Sequence, residues 1–319
     1  MRVRTGARLH FGLWAINAPA GRRFGGVGMM IAEPGVELTA RRVERDRIDA
    51  CSADVAARVA QYLHRLRAIR PDIPPVALYV PVMIASHQGL GSGTQLALAT
   101  AATVLNVAGE AQFDAAAWAH QLGRAERSSI GVHGFELGGF LIESGQRPGD
   151  RIGELIGRAA VCEDWQIALI APPQTVGLSG AAELSAFQQL PPMSEATTAA
   201  LCRMAVDDWL PAMARGDFAT AARTMWEYGQ LAGEYFRAVQ GGVFASPRMA
   251  QLARQLHTEG VTGIAQTSWG PTIAVLCADH IQADALRAQL AADSAWNDLS
   301  VRITRGLNAG AEITIDAQG

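Results

Sequence analysis

The stretch HQGLGSGTQLALA at residues 87–99 decides how the first half of this chain folds. It follows a continuous apolar run at residues 76–85 and ends in helix-forming residues, so the predicted order is strand, glycine-rich loop, helix. Glycine lets the backbone come close to a ligand, and the first turn of the helix presents N–H groups that lack helical partners. Because such a helix start attracts phosphate, the loop is a candidate phosphate-binding site.

The loop residues predicted to bind phosphate are Gly89, Gly91, Ser92, Gly93 and Thr94. The hydroxyls of Ser92 and Thr94 could bind phosphate oxygens or a metal ion. The spacing does not fit GxxxxGK[ST], so the loop is not a Walker A motif. The alternative is an ordinary tight turn between strand and helix, with Thr94 as the helix cap.

The composition allows a large buried core and favours two domains, since 49% of the 319 residues are hydrophobic and 18% are charged. Glycine, proline and charge concentrate in GQRPGDR at 145–151, which predicts a boundary between domains 1–150 and 151–319. A formal net charge of −3 provides no broad field for nucleic acid or an anionic membrane, so neither is an expected partner.

All 27 residues counted as Lys+Arg are arginines. A Schiff-base lysine, a P-loop lysine and a lysine general base are therefore excluded. The planar guanidinium can bind a phosphate through two parallel hydrogen bonds, so small phosphorylated anions are the expected ligands.

The four cysteines (Cys51, Cys162, Cys202 and Cys277) are far apart and lack zinc-type spacing. We expect them to be thiols in a reducing compartment. The first residues show no long apolar stretch followed by a small-residue cleavage site, and no run of about 18 apolar residues occurs. The expected location is the cytoplasm.

Periodicity predicts the other elements. In the first half, a strand at 2–14 leads into a glycine- and arginine-rich loop up to residue 28, and Pro34-Gly35 is predicted to be a turn. Helices are predicted at 54–70 and 115–127. Glycines at 131, 134, 138 and 139 are too many for a helix interior, so residues 127–140 are predicted to be a loop entering a short strand. The second half is predicted to have long helices at 195–215 and 218–239.

Four parts of the sequence indicate a known family, and the one at 87–99 resembles the phosphate-loop motif of the GHMP superfamily of galactose, homoserine, mevalonate and phosphomevalonate kinases. The four parts are ARLHFGLWAIN at 7–17 with GRRFGGVGMMI at 21–31, HQGLGSGTQLALA at 87–99, RSSIGVHGFELGGF at 127–140, and QTSWGPTIAVL at 266–276. Together they are similar to one branch, the β-ribofuranosylaminobenzene 5′-phosphate synthases. The resemblance implies a two-domain α+β, GHMP-kinase-like fold: an N-terminal domain like ribosomal protein S5 domain 2, a C-terminal ferredoxin-like domain, and a ligand cleft between them.

One segment departs from the kinase pattern. Many GHMP kinases have SGxD after the second helix, with a catalytic aspartate, whereas this chain has Ile130-Gly131-Val132-His133 at that place. His133 therefore replaces the aspartate, and no lysine is available to assist. Phosphoryl transfer to an alcohol would lack both helpers, which weakens the kinase interpretation.

The synthase reaction implied by the resemblance belongs to methanopterin biosynthesis. It joins 4-aminobenzoate to phosphoribosyl pyrophosphate and releases pyrophosphate and carbon dioxide, with substrate-bound Mg²⁺ and no organic cofactor. Negative charge develops on the departing pyrophosphate, so fixed donors near it lower the barrier. The sequence leaves open whether 4-hydroxybenzoate takes the place of the amine.

Site residues are assigned from this resemblance and the chemistry it implies. The predicted catalytic residues are His133, Glu136, Arg22 and Arg23, with Ser92 and Glu136 as metal ligands. Arg8 and Arg127 are predicted to join the loop in binding phosphate, and His10, Gly26, Ser268 and Trp269 to contact substrate.

Each assignment has a structural alternative. Arg22 and Arg23 also fit a solvated turn, Arg124 and Arg127 a helix end where cations meet the dipole, and His10 and Trp269 the core. Two other functions remain open, an ATP-dependent small-molecule kinase and a non-catalytic phosphosugar-binding protein. A homodimer is compatible with the sequence, which does not decide the oligomeric state.

Overall fold

The structure is a computed structural model, and it describes residues 1–86, 88–173 and 180–315. His87, the first residue of the loop stretch, lies outside the described residues. So do residues 316–319 of the predicted second domain.

The strands form two sheets. In chain order they are β1 (Arg2–Trp14), β2 (Gly25–Arg42), β3 (Arg47–Ala50), β4 (Val76–Val82), β5 (Phe140–Glu143), β6 (Leu155–Ala159), β7 (Gln166–Ala171), β8 (Ile264–Gln266), β9 (Ile273–Cys277), β10 (Ser300–Arg305) and β11 (Glu312–Thr314). The first, seven-stranded sheet has the order β11-β1-β2-β4-β3, with β5 pairing with both β2 and β6. The second, four-stranded sheet has the order β10-β7-β9-β8.

The helices cover these sheets. They are α1 (Ala53–Ile69), α2 (Ser92–Val107), α3 (Ala115–Gln121), α4 (Ile130–Leu137), α5 (Gly180–Gln189), α6 (Glu195–Arg203), α7 (Leu210–Arg215), α8 (Phe218–Gln240), α9 (Pro247–Thr258) and α10 (His280–Ala292). A π-helical turn, Met204–Trp209, joins α6 to α7. Within the described residues, none of these helices combines the length and apolar character that crossing a bilayer requires.

Helix α2 is the central helix of the first half. Its residues from Gln95 to Leu105 are all buried, as expected for a helix that is apolar on every side. Helix α1 packs on α2 through one face only, since Val55, Val59 and Leu66 are buried while the opposite side is exposed. The glycine loop that precedes α2 is therefore attached to a rigid element.

The second sheet confirms the ferredoxin-like expectation. Its four strands are antiparallel, and the chain runs from β7 through the helices α5 to α9 to β8 and β9, and then through α10 to β10, which is the split βαβ arrangement. Buried apolar residues of α9 and α10, among them Leu252 and Leu286, form a core with this sheet. The predicted helix at 195–215 is present as the continuous run of α6, the π-helical turn and α7.

The first sheet continues beyond residue 150. The GQRPGDR segment connects β5 to β6, and both strands belong to the seven-stranded sheet. Strand β11 returns to the same sheet beside β1 from the end of the chain. The second sheet begins with β7.

Trp209 connects the two halves. Its ring is fully buried, with the ring centres of Phe11 and Phe140 each 5.1 Å away and that of Tyr228 at 5.6 Å. The hydroxyl of Tyr228 donates to the carbonyl of Gly12 at 3.1 Å. These contacts fix α8 against β1, and the cavity described below lies beside this junction.

Residues 130–137 correct the sequence-based prediction, because they form helix α4 instead of a loop. The glycines are explained by close packing. A Cβ on Gly134 would lie 2.4 Å from the sulfur of Met30, and one on Gly131 would lie 3.4 Å from the Thr94 side chain. Contacts with β2 and α2 thus outweigh the low helix propensity of glycine.

Strand β2 includes the glycines at 25–28, which were predicted to lie in a loop, and Pro34-Gly35, which was predicted to be a turn. The pairing with β1 shifts there: Ala7 lies opposite Ile31, but Thr5 lies opposite Val36. The expected turn is therefore a bulge within one strand. Helix α3 is shorter than predicted, since it ends at Gln121 and leaves Arg124 and Arg127 in the loop before α4.

Candidate active site

A cavity of about 560 Å³ lies between the glycine loop, β1 and α8. Strand β1 contributes Arg8 and His10, and then the consecutive residues 11–13, where its pairing with β2 shifts register. The loop before α4, the start of α1 and the segment after β8 complete the walls. The cavity has two chemically different ends.

The glycine loop is held at one end by backbone contacts. The Arg8 N–H donates to the Leu90 carbonyl at 3.0 Å, and the Thr267 hydroxyl donates to the Gly89 carbonyl at 2.9 Å. Gly89 approaches Thr267 so closely that a Cβ would lie 2.2 Å from the Thr267 carbonyl oxygen. The loop is therefore fixed in place by both halves of the chain.

Gly91 begins α2 in the left-handed conformation, with φ +73°, which favours glycine. Because this cap residue has no side chain, it does not satisfy the N–H groups of the first helical turn. Ser92, Gly93 and Thr94 follow in that turn and border the cavity. This arrangement fits an anion at the helix start, as the sequence predicted.

Three guanidiniums border the same end. A Cβ on Gly91 would lie 3.3 Å from Arg8 Nε, and one on Gly93 would lie 2.7 Å from an Nη atom of Arg124. Arg58, on α1, donates to the Ser86 hydroxyl at 3.0 Å. The Nε of Arg124 is buried and has no hydrogen-bond partner among the described residues. We call this region, formed by the loop 89–94 with Arg8, Arg58 and Arg124, the anion end.

A buried carboxyl group lies behind the anion end. Glu143 is completely buried and accepts hydrogen bonds from the Ser128 hydroxyl at 2.7 Å and the Ser129 N–H at 2.8 Å. Burial raises the pKa of Glu143 to about 7, while these hydrogen bonds and the charge of Arg8 act in the opposite direction. Glu143 therefore changes charge close to neutral pH, near an arginine of the anion end.

The other end of the cavity is aromatic. The ring centre of Trp269 lies 5.3 Å from that of Phe187 and 5.0 Å from that of Phe236, in edge-to-face contacts. The guanidinium carbon of Arg127 lies 5.0 Å from the centre of the Phe187 ring. The small residues Gly229, Ala232 and Gly233 of α8 border the same region. We call it the aromatic end; a flat ring fits such a wall.

His10 lies where the two ends meet. Its backbone N–H donates to the Thr267 hydroxyl at 3.0 Å, and its backbone carbonyl accepts from the Ser268 backbone N–H at 2.7 Å. Burial, followed by the charge of Arg8, lowers the pKa of His10 well below its usual value of 6.5. The imidazole is therefore neutral at pH 7.

The structure brings together most of the predicted binding residues. The five loop residues, Arg8, Arg127, His10, Ser268 and Trp269 all border this one cavity. Gly26 lies behind His10, where a Cβ would be 3.2 Å from His10 Nε2. Gly26 thus supports a neighbour that borders the cavity.

Arg22 and Arg23 lie apart from the other predicted site residues, and their catalytic role stays a prediction. Neither borders the cavity. Arg22 donates to the Gly145 carbonyl at 3.1 Å and forms an ion pair with Glu154, while Arg23 is exposed in a bridge to Gln146. Both arginines stabilise the connection between β5 and β6.

His133 and Glu136 also lie outside the cavity, and their catalytic role likewise stays a prediction. His133 Nε2 lies 2.7 Å from the Gly153 carbonyl oxygen, and burial lowers the pKa of this imidazole. Glu136 borders a second cavity of about 370 Å³ with Phe113 and Phe135. The predicted metal pair of Ser92 and Glu136 is therefore divided between two cavities.

Sequence reasoning missed Arg58, Phe187 and Phe236, and it treated Arg124 as a helix-end residue. One signal for Phe236 was available: Gly229, Ala232 and Phe236 follow helical spacing, which indicates one face with small residues beside a large ring. Arg58 and Phe187 carry no such signal, because only the tertiary fold brings them to the cavity.

Sequence comparison relates the chain to one group of enzymes. Residues 209–294 match the family model described as GHMP kinases C terminal. The chain is 28% identical over 296 residues to the beta-ribofuranosylphenol 5′-phosphate synthase of Methanothermobacter thermautotrophicus, covering 85% of this chain and 87% of that protein. It is 26% identical over 302 residues to the protein of the same name from Methanocaldococcus jannaschii, covering 86% and 88%.

Solved structures agree on the fold. Phosphomevalonate kinase from Streptococcus pneumoniae aligns with a TM-score of 0.67 at 12% identity, covering 96% of this chain and 99% of that one. Mevalonate diphosphate decarboxylase from Staphylococcus aureus aligns with a TM-score of 0.65 at 12% identity, covering 98% and 97%. At such identities the likeness concerns the fold alone. The chain thus has the GHMP-kinase fold and is similar in sequence, over most of its length, to the beta-ribofuranosylphenol 5′-phosphate synthases.

Proposed function

We propose that this protein joins the anomeric carbon of phosphoribosyl pyrophosphate to the ring carbon of 4-aminobenzoate that bears the carboxylate, releasing pyrophosphate and carbon dioxide. The observation that supports this most is the single cavity with an anion end and an aromatic end. The two substrates have matching character, one a phosphorylated sugar and the other a flat aromatic acid. The names of the relatives support the same class of product.

The anion end supplies what the departing pyrophosphate needs. When the anomeric C–O bond breaks, its electron pair moves to the pyrophosphate, and positive charge develops on the ribose. Arg8, Arg58 and Arg124 and the N–H groups at the start of α2 are fixed donors that stabilise this negative charge. Removing one such donor typically costs about 3 kcal/mol of transition-state stabilisation.

The aromatic end positions the attacking ring. The 4-amino group donates electrons, and the ring carbon that bears the carboxylate forms the new bond to the ribose. The electron pair of the carboxylate bond then returns to the ring as carbon dioxide leaves, which restores aromaticity. Since no ring proton is removed, the protein is needed chiefly for positioning and charge stabilisation. Phe236 and Trp269 give the ring a wall to lie against.

Magnesium fits this cavity as part of a magnesium–pyrophosphate substrate. The described residues contain no group of three His, Cys, Asp or Glu side chains that could hold a metal by themselves. Hydroxyls of Ser92 and Thr94 and the carboxylates of Asp54 and Glu126 border the cavity and could complete a coordination shell that the pyrophosphate dominates. A bound magnesium ion would supply charge neutralisation on the leaving group. The reaction as written requires no organic cofactor.

We also propose that the protein works in the cytoplasm. All four cysteines are free thiols in the fold, and Cys277 is buried. Free cysteines fit a reducing compartment.

The test is product analysis with purified protein, phosphoribosyl pyrophosphate, Mg²⁺ and either 4-aminobenzoate or 4-hydroxybenzoate. We expect a product whose mass equals the sum of the two substrates less pyrophosphate and carbon dioxide. Arg124→Ala should slow its formation at least tenfold. Arg287→Ala, which removes an exposed arginine on α10, is the matched control and should not. Formation of ADP and a phosphorylated alcohol from ATP, with no such product, would support the kinase instead.

A further inference from the structure

One loop forms a whole wall of the cavity. The six consecutive residues 123–128, which lie between α3 and α4, all border it. From this loop Arg124 brings its guanidinium to the anion end, where it lies beside Gly93. Ordering a loop when a ligand binds costs affinity, so a loop that presents a donor is most effective when its backbone already has one conformation. The contacts that fix this loop therefore matter for the anion end.

The backbone of the loop is strained directly after Arg124. Ala125 has φ +62°, in the left-handed region that residues with a Cβ disfavour. Asparagine and aspartate can stabilise this conformation with their own polar side chains, but alanine has none. Without support from another residue, we expect position 125 to relax to a more common conformation and the guanidinium of Arg124 to move away from Gly93.

That support comes from Gln146, in the connection between β5 and β6. Its Nε2 donates to the Ala125 carbonyl and also lies 3.4 Å from the Ser129 hydroxyl. The backbone of Gln146 is itself fixed by two hydrogen bonds of 2.8 Å with the backbone of Arg23. Gln146 does not border the cavity. Its side chain therefore acts on the loop and not on a bound ligand.

Glu143 holds the other end of the loop. The Ser128 hydroxyl donates to one oxygen of its carboxyl group at 2.7 Å, and the Ser129 N–H donates to the other at 2.8 Å. The Ser129 hydroxyl accepts from the Gly153 N–H at 2.7 Å. A Cβ on Gly153 would lie 2.5 Å from Glu143 Oε2, so the carboxyl group is tightly enclosed. The loop is thus attached to the first sheet at residue 125 and again at residues 128 and 129.

We propose that Gln146 is a positioning residue for the anion end, an inference that rests on the proposed function. By holding Ala125 in the left-handed conformation, Gln146 keeps the guanidinium of Arg124 where it stabilises the departing pyrophosphate. Glu143 fixes the other end of the loop, so loss of the Gln146 amide should free the loop near Arg124 and leave the rest of the wall attached. The expected defect therefore lies in the use of Arg124 and not in the fold.

Calorimetric titration with pyrophosphate and Mg²⁺ measures this defect without turnover. Gln146→Ala should weaken pyrophosphate binding about fivefold or more, because one neutral hydrogen bond that restrains the loop is lost. In an Arg124→Ala background the same substitution should weaken binding less than about twofold, because the guanidinium that it positions is already absent. Equal weakening in the two backgrounds would overturn the proposal, and so would unchanged binding in Gln146→Ala.

The matched control is Gln282→Ala. Gln282 also holds a backbone segment, since its side chain accepts from the Ala278 N–H at 2.6 Å, but it lies on α10 and does not border the cavity. This variant should bind pyrophosphate as wild type does. Weakening as large as that in Gln146→Ala would show that loss of any such glutamine suffices, which would overturn the specific role of Gln146.

A second substitution tests whether strain at residue 125 is the cause. Glycine adopts the left-handed conformation without the penalty that alanine has. Ala125→Gly, added to Gln146→Ala, should therefore recover at least about twofold of the lost affinity. A contact of Gln146 with the ligand would not be restored in this way, so the absence of any recovery would overturn the mechanism.

Binding and turnover together distinguish this proposal from the proposed function. If wild type binds pyrophosphate through Arg124 and Gln146 but forms no ribosylated product, the proposed function is refuted and the positioning role stands. If wild type forms the product and Gln146→Ala binds pyrophosphate as tightly as wild type, only the positioning role is refuted.

Discussion

Replacing Gly93 with alanine puts a methyl group where the guanidinium of Arg124 lies. The new Cβ would be 2.7 Å from one Nη atom and 3.2 Å from the central carbon of that guanidinium. The end of an arginine side chain is flexible, so we expect it to move away while the backbone stays in place. The substitution is thus a way to displace one donor from the anion end without deleting it.

The expected effects on stability and activity differ in size. Gly93 is the second residue of α2, and alanine favours a helix over glycine by up to about 1 kcal/mol, so the free energy of unfolding should change by no more than about 1 kcal/mol. Loss of one donor to the leaving pyrophosphate should raise the barrier by about 3 kcal/mol, which is roughly a hundredfold in rate. The variant should be well folded and slow.

The assay measures kcat/KM for phosphoribosyl pyrophosphate and urea unfolding for wild type, Gly93→Ala, Arg124→Ala and the double variant. If the methyl group acts by displacing the guanidinium, adding Gly93→Ala to Arg124→Ala should cause little further loss. If the losses of kcat/KM from the two single substitutions multiply in the double variant, this mechanism is refuted. So would a Gly93→Ala enzyme as active as wild type.

Three further predictions concern packing, charge and the aromatic end. Gly28→Ala should lower the free energy of unfolding by about 2 kcal/mol or more, because its Cβ would lie 2.5 Å from both the Ile130 side chain and the Leu9 carbonyl oxygen. Urea titrations measure this change, and a value below about 0.5 kcal/mol would contradict this packing. Glu143 has its pKa raised from 4.5 to about 7 in the folded protein, so the unfolded chain loses this proton first and stability should fall as pH rises through that interval. Relative to Glu143→Gln, wild type should lose up to about 3 kcal/mol of unfolding free energy between pH 4.5 and 8, and parallel pH curves would contradict the raised pKa. Phe236→Ala should raise KM for the aromatic acid about tenfold with little effect on KM for phosphoribosyl pyrophosphate, whereas equal effects on both would contradict a separate aromatic end.

Local sequence patterns were sufficient for the parts of the fold in which local structure and packing agree. The glycine loop at 89–94 and the helix after it were predicted because strand, loop and helix each have a distinct pattern. Helix α4 was missed because its glycines have low helix propensity, and only the nearness of Met30 and Thr94 shows why they are needed. Packing between distant segments decided that region.

The candidate site was predicted in part for the same reason. The residues of β1 and of the loop were found because they lie within recognisable segments. Arg22 also lies within a recognisable segment, but its guanidinium forms an ion pair with Glu154, 132 positions away in the chain. No local sequence pattern reveals that ion pair. Phe236 reaches the cavity because Trp209 and Tyr228 fix α8 beside β1, and Phe187, on α5, packs against the Phe236 ring.

The proposed function requires one cavity to hold a sugar that loses pyrophosphate and an aromatic acid in a single reaction. Its most direct measurement follows carboxyl-labelled 4-aminobenzoate and pyrophosphate together in one reaction with phosphoribosyl pyrophosphate and Mg²⁺. We predict that labelled carbon dioxide and pyrophosphate appear at the same rate and in equal amounts, and that ATP is not consumed. Pyrophosphate release without carbon dioxide, or ATP consumption with the label retained in the acid, would contradict the proposed function.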